Sequence, residues 1–487
     1  MITRYSPEPP AIGRPTGQPE NAARELAGSA NVRIALFLLA HMPLAYAMEA
    51  FWPLATAHAV LVLLAGIRWA WLGRTRQVLY CLSYIAGFEV LWRMTEARVF
   101  WEYGKYALAL VVLMALFAEW RRSDARLRTV LPVVLLAAMV PAVALAVLQF
   151  SPAEAFDQLS FNLSAYLALG AAALYCWERP VDRPTAANLL LALMAPIVGV
   201  LFLASFSTIT QIGVDTFATA SSWIRSGDFG ANQVSNVLSL GALAGIILLI
   251  ILPRAQGARL LIAGLAVAMV VQGILTFSRG GLYSLILAGL AFGLHLLTTP
   301  GARGRFLLLI AVFVALVFGV IYPWLNDLST GAVTARFEDL DTTGRLELAR
   351  ADLMAFQDSP VLGAGVGGSM PYHIYVFGED VGTHTEYTRL LAEHGLFGIL
   401  IMALMGWMLL RRYLGNAPGL GRAISAAMAI WTLSVMAHSA TRIVVIPFAL
   451  VLAFLAWRLD EEREPASLAG DNGLPAPTTA VAPTRVR

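Results

Sequence analysis

Residues 186–206 read AANLLLALMAPIVGVLFLASF, a run without one charged side chain. A helix needs about 20 such residues to cross the hydrocarbon core of a bilayer. Lipid offers no partner to a free amide or carbonyl, so the run must fold as a helix. Comparable runs recur along the chain. They place spans near 33–51, 53–72, 78–98, 104–120, 128–149, 158–177, 186–206, 232–252, 259–277, 280–298, 305–325, 387–410, 423–438 and 442–458. The first two and the last two pairs are close-set and also read as broken helices. Composition agrees: 58% of residues are hydrophobic and 13% charged, where a soluble domain carries roughly 25% charged. Too little polar surface remains to cover a water-soluble globule. The expected fold class is an all-α polytopic membrane protein with about 12–14 transmembrane helices.

Arginine sorts the loops. One alternating set holds Arg68, Arg74 and Arg76, then Arg121, Arg122, Arg126 and Arg128, then Arg179 and Arg183. It continues with Arg254 and Arg259, Arg303 and Arg305, and Arg411, Arg412 and Arg422. These loops read as cytoplasmic, and the opposite set, such as SPAEAFD at 151–157, is mostly bare. The exception is the stretch with Arg93, Arg98 and Lys105 beside Glu96 and Glu102. The expected organisation is a disordered cytoplasmic tail over 1–30, a transmembrane domain over 31–459, a large outward loop at 326–385 within it, and a second disordered tail over 460–487. No cleavable leader is apparent, since the first thirty residues are polar and proline-bearing. The net charge of +3 is too small to imply a nucleic-acid partner. Cys81 and Cys176 sit inside apolar runs and read as small buried hydrophobes, with neither a disulfide nor a metal in view.

A loop of about sixty residues between two membrane helices far exceeds ordinary connection lengths. Within it, GRLELARADLMAF at 344–356 has apolar positions at helical spacing, so an ordered cap with a surface helix is expected. Four outward places carry chemistry: Arg225 in SSWIRSGDFGANQVSN; Ser278-Arg279-Gly280-Gly281; Gly344-Arg345 with the later SPVLGAGVGG at 359–368; and Thr383-His384-Thr385-Glu386-Tyr387. Arg279 lies between two apolar runs near the interface, where a cation costs up to about 3 kcal/mol on insertion scales and faces a cavity or a partner. Its glycines leave the backbone open to close approach. The bland reading is an arginine snorkelling to lipid headgroups; the functional one is a bidentate clamp on a phosphate. Thr383 as N-cap with Glu386 three residues on makes a capping box. That places His384 in a first helical turn, where the positive helix end disfavours imidazolium and leaves a neutral proton acceptor. No further ligands at zinc spacing join His384 and Glu386.

Taken in order, Arg225…FGANQ, FSRGGL, GRLELARADLMAFQDSPVLGAGVGG and THTEYTRLLAEHGLFG resemble the O-antigen ligase and polymerase superfamily of bacterial envelope glycosyltransferases. The resemblance covers about residues 220–400. It implies a GT-C-type transferase of the inner membrane, with its active site facing the periplasm. The implied donor is a glycan on undecaprenyl pyrophosphate, with no nucleotide sugar, no metal and no cofactor. The implied acceptor is a hydroxyl of lipid A-core oligosaccharide. Arg225 and Arg279 would bind the pyrophosphate, and His384 would take the acceptor proton. Arg345, with Ser278, Glu386 and Tyr387, would line the substrate site. Many relatives have Asn after the histidine, where Thr385 stands here. Two relatives share the donor and differ in acceptor: a polymerase extending a second lipid-linked repeat, and a protein O-oligosaccharyltransferase. A transporter or flippase is the reading from another class. It would carry charges near the bilayer midplane and repeated halves, and Glu89 is the mid-span charge noted here.

Overall fold

The computed structural model describes residues 30–122, 128–211, 221–252, 257–298, 303–339, 344–379 and 381–459. The expected tails, apart from Ala30, lie outside them, as do Arg126 and Arg254. The chain is an all-α polytopic membrane protein. In order come α1 (Ala30–Ala50), α2 (Trp52–Trp71), α3 (Thr75–Met94), α4 (Tyr103–Arg121), α5 (Leu131–Gln149), α6 (Pro152–Cys176) and α7 (Arg183–Thr210). Then follow α8 (Ala231–Ile251), α9 (Ala258–Leu275), α10 (Arg279–Leu297) and α11, which runs Arg303–Leu316 through a π segment Val317–Ile321 into Tyr322–Leu328. The long loop over 326–385 holds α12 (Ala332–Glu338), α13 (Arg345–Asp358) and α14 (Met370–Phe377). The chain closes with α15 (Glu386–His394), α16 (Leu396–Gly415), α17 (Leu420–Met436) and α18 (Val445–Ala453). Two three-residue strands, β1 (Pro180–Asp182) and β2 (Ala456–Arg458), pair in parallel.

Among the described residues, eleven helices are long and apolar enough to cross a membrane, and α17 is a shorter apolar helix. Helix α3 is as long as these but carries Arg76, Glu89 and Arg93. Two expected spans differ. The run at 387–410 is two helices, because Gly395 takes φ +59° with ψ −133° and stops α15 before α16 begins. The run at 442–458 is a nine-residue helix leading into β2, too short to cross the core alone. Helix α5 breaks around Val140-Pro141, since proline cannot donate to the preceding turn.

Contacts gather the loops into two groups. At one end Arg76 meets Asp182 at 3.1 Å, Arg179 meets Glu119 at 2.9 Å, and Arg412 donates to the Phe454 carbonyl at 3.0 Å. These are the arginine-rich loops. At the other end the Arg93 guanidinium donates to the Arg442 carbonyl at 3.3 Å. The charges that broke the loop pattern are paired there: Arg93 with Glu89 at 2.8 Å and with Glu102 at 3.5 Å, and Lys105 with Glu102.

Helix α6 shows how local sequence places the site. Ser151 caps it, accepting from the Glu154 amide, while the Glu154 carboxylate accepts from the Ser151 amide, with Pro152 at the first helical position. The SPAEAFD stretch is therefore the first turns of a helix. It starts α6 where Gln158, Asn162 and Tyr166 face the loop region.

Candidate active site

Helix α9 ends at Leu275, and the chain turns through Phe277 at φ +58°. A bulky residue in the left-handed region costs about 1–3 kcal/mol and persists only where its surroundings hold it. They do so here. The Phe277 amide donates to the Ile274 carbonyl, its own carbonyl accepts from Arg336 Nε at 3.0 Å, and its ring is buried. The Arg225 guanidinium lies 5.9 Å from the centre of that ring. Ser278 follows extended; its hydroxyl donates to Asn232 at 2.7 Å and its carbonyl accepts from Ser235 at 3.0 Å. Arg279 opens α10, and its Nη1 donates to the carbonyls of Arg336, at 3.2 Å, and Asp339. The strained turn thus ties Arg225, Ser278, Arg279 and Arg336 to one corner.

Arg345 is the first residue of α13, after Gly344 at φ +74°. Burial, then the nearby Arg279 and Arg336 guanidiniums, hold its pKa below the usual arginine value. Its Nε is buried with no hydrogen-bond partner among the described residues. Three guanidiniums therefore crowd one place, which favours an anion there.

The same Arg345 also bears on His384. Burial pushes the His384 imidazole down to about 4, helped by Arg442, Arg345 and His373. Arg442 donates to the Thr383 carbonyl at 2.9 Å, and a Cβ on Gly382 would lie 2.4 Å from its Nη2. The expected capping box is not the cause of this environment. Helix α15 starts at Glu386 with Thr385 as N-cap and no side-chain cap bond. His384 therefore precedes the helix, and burial with neighbouring cations replaces the helix end as the source of its neutrality.

Beside Thr383 and Arg442 opens a cavity of about 460 Å³, walled also by Gln158, Asn162, His373 and Glu393. Its wall does not include Arg225, Arg279, Arg345 or His384, though the wall residues Thr383 and His373 lie next to His384. Of the SPVLGAGVGG glycines, Gly367 lines this cavity and Gly363 packs behind its wall residue Glu393. Gly363 takes φ +74°, and a Cβ there would lie 2.3 Å from the Glu393 carbonyl carbon. That contact lets Ala364 and Gly365 donate to the carbonyls of Ala392 and Glu393, at 2.8 and 3.1 Å. The motif packs backbone against backbone and lies apart from the arginine corner.

Two expected site residues turn inward. Glu386 is fully buried and accepts from Tyr166 at 2.6 Å, from the Thr441 amide at 2.8 Å and from Arg389. Arg389 and the two hydrogen bonds hold its carboxyl below the usual range against the opposing effect of burial. The Tyr387 hydroxyl donates to the Leu433 carbonyl at 2.8 Å. Both side chains hold α15 in place, away from the arginine corner. Among the described residues no group of three or more His, Cys, Asp or Glu is arranged to hold a metal ion.

Residues 264–403 match the family model described as O-antigen ligase. Over that stretch the chain is similar to O-antigen ligases. That match supports the likeness to the O-antigen ligase and polymerase superfamily, whose members are glycosyltransferase-like enzymes of lipopolysaccharide assembly. Curated proteins give no match to the chain. The matched stretch contains Ser278, Arg279, Arg345, His384, Glu386 and Tyr387, while Arg225 and Arg442 lie outside it. Sequence reading missed Arg336 and Arg442. Arg442 stands just before an apolar run, as Arg279 does, and the same interfacial argument singles it out. Arg336 sits on a seven-residue helix, and its role depends on a carbonyl 59 positions away, so no local pattern marks it.

Proposed function

We propose that this protein moves a glycan from undecaprenyl pyrophosphate to a hydroxyl of lipid A-core oligosaccharide, at the periplasmic face of the bacterial inner membrane. The observation that carries the reading is the crowding of Arg279, Arg336 and Arg345, with the Arg345 Nε buried and without a hydrogen-bond partner among the described residues, beside a histidine whose burial keeps it neutral. Arg225 and Arg279, with Arg345, bind the pyrophosphate and offset its charge as it leaves. His384 takes the proton from the acceptor hydroxyl. The oxygen attacks the anomeric carbon, the bond from that carbon to the phosphate oxygen breaks, and its electron pair leaves with undecaprenyl pyrophosphate. Most of the catalysis is electrostatic, completed by one base. Guanidiniums supply the charge, so the reading calls on no metal and no nucleotide sugar. Glu89, the mid-span charge noted against the transporter reading, is engaged by Arg93 at 2.8 Å and by the Val444 amide, which favours a structural role for it.

The test supplies purified protein with the lipid-linked glycan and one of three acceptors: lipid A-core, a second lipid-linked repeat, or a pilin-like protein. Transfer to lipid A-core is expected, and to be lost in Arg279→Ala and His384→Ala while both variants remain folded. Transfer to the second repeat alone makes the protein a polymerase, and to the protein alone an O-oligosaccharyltransferase. Wild-type transfer by either variant overturns the site assignment.

A further inference from the structure

The cavity beside Thr383 and Arg442 differs in chemistry from the arginine corner. Its walls carry both signs of charge, with Asp157 and Glu393 beside Arg389 and Arg442, and the amides of Gln158 and Asn162 line it with them. Arg389 is already engaged by Glu386, and by Glu393 at 3.5 Å. A pyrophosphate needs a surplus of positive charge. A balanced wall rich in amide and hydroxyl groups suits a sugar.

His373 lines this cavity and is close enough to His384 for a charge on one to oppose a charge on the other. Its Nε2 meets Asp352 Oδ1 at 2.8 Å, and the Thr388 hydroxyl donates to Asp352 Oδ2 at 2.6 Å. Asp352 has no exposed surface. The Nε2 bond to Asp352 leaves Nδ1 as the ring nitrogen open to a ligand hydroxyl. The sequence shows nothing of this dyad, because Asp352 and His373 lie on different helices, α13 and α14.

We propose that this cavity receives the hydroxyl-bearing sugar of the acceptor, and that His373, oriented by Asp352, accepts a hydrogen bond from an acceptor hydroxyl beside the one His384 activates. The inference rests on the transferase reading above and divides the site between donor and acceptor. The donor pyrophosphate lies on the Arg279–Arg345 side and the acceptor sugar on the His373 side, with His384 between them.

The test is steady-state transfer by the full-length protein, with lipid-linked glycan as donor and lipid A-core as acceptor, varying each in turn. His373→Gln keeps a donor for Asp352 at the Nε2 position and removes the acceptor at Nδ1. It should raise the acceptor KM about tenfold or more, the effect of one lost polar contact with a buried partner, and leave the donor KM within about twofold. A merely structural His373 would be rescued by glutamine. Met370→Trp, which fills the cavity from another side, should raise the acceptor KM in the same way. Unchanged acceptor KM in both variants overturns the proposal, as does a parallel rise in both KM values. If the wild-type protein transfers to no sugar acceptor, the transferase reading itself fails. If it transfers and His373→Gln matches it, only the division of the site fails.

Discussion

Replacing Arg345 with methionine separates binding from folding, because the structure assigns the two effects opposite signs. In the folded chain the Arg345 guanidinium is pressed between burial and two like charges, Arg279 and Arg336. Its Nε has no partner among the described residues. A methionine of similar length relieves that crowding. Thermal stability in detergent should therefore hold or rise, by no more than about 1 kcal/mol for a partly exposed charge. Donor use should collapse. A guanidinium offers a phosphate two charge-assisted hydrogen bonds, each worth about 1.5–3 kcal/mol. Losing both predicts a fall of about 10²–10⁴ in kcat/KM for the lipid-linked donor. Lysine at 345 keeps the charge and loses the fork, so it should fall between. The assay is transfer with the donor varied at saturating acceptor, beside a thermal shift on the same preparation. A variant that turns over donor within threefold of wild type refutes the reasoning, and so does one that unfolds.

Other outcomes follow from the same contacts. The His384 imidazole, lowered to about 4 by burial and its cationic neighbours, stays neutral far below pH 6.5, so the acid limb of kcat/KM for the acceptor should fall near pH 4; Arg345→Met should move it upward. A limb at 6.5 in the wild-type enzyme would contradict that placement. Linkage has a definite sign: the unfolded chain takes up the His384 proton near 6.5 and the folded chain does not, so this group costs stability as pH falls from 6.5 towards 4, visible as a falling Tm that His384→Asn flattens. Glu386→Gln should destabilise the protein by about 3–5 kcal/mol, since it leaves Arg389 buried beside an amide; an unchanged Tm would remove Glu386 from its bracing role. Gly363→Ala, at φ +74° and with its Cβ set 2.3 Å from the Glu393 carbonyl carbon, should cost about 2 kcal/mol or more and distort the acceptor cavity. Wild-type melting and acceptor KM in that variant would count against the close packing.

What the sequence made legible was whatever lipid alone dictates. An apolar run at 186–206 has one fold open to it, and α7 forms there with Asp182 as its cap. Misread runs are those where apolar composition continues through a backbone break, as at Gly395, or where a helix stops early, as α18 does. Chemistry read from residue type survived less well than position did. Arg225, Ser278 and Arg279 meet across one strained turn, but the basis offered for His384 was a local capping box, and its environment is set by burial first and then by Arg442 and Arg345. Glu386 shows the reason. Its partners are Tyr166, 220 positions earlier, and Thr441, 55 later. A buried carboxylate is defined by what the fold brings to it, and one-dimensional spacing carries no trace of that.

The same point explains why the first four helices matter to a site they do not line. Glu89, Arg93, Glu102 and Lys105 form a buried cluster of two acids and two bases on α3 and α4 and the turn between them. Such a group persists in apolar surroundings only when each charge is engaged, and breaking one pair costs about 3–5 kcal/mol. The cluster also reaches out of its own helices: Arg93 donates to the carbonyl of Arg442, and Glu89 accepts from the amide of Val444. Those two bonds grip the backbone on either side of Ile443, and Arg442 in turn holds the Thr383 carbonyl next to His384. A guanidinium that lowers a histidine must stay at a fixed distance from it, because the Coulomb effect changes steeply at close range. The early helices can vary their lipid-facing residues freely and still meet that demand, provided this charge cluster remains. That is why a resemblance confined to about 220–400 is compatible with a site that needs the chain from Glu89 onward.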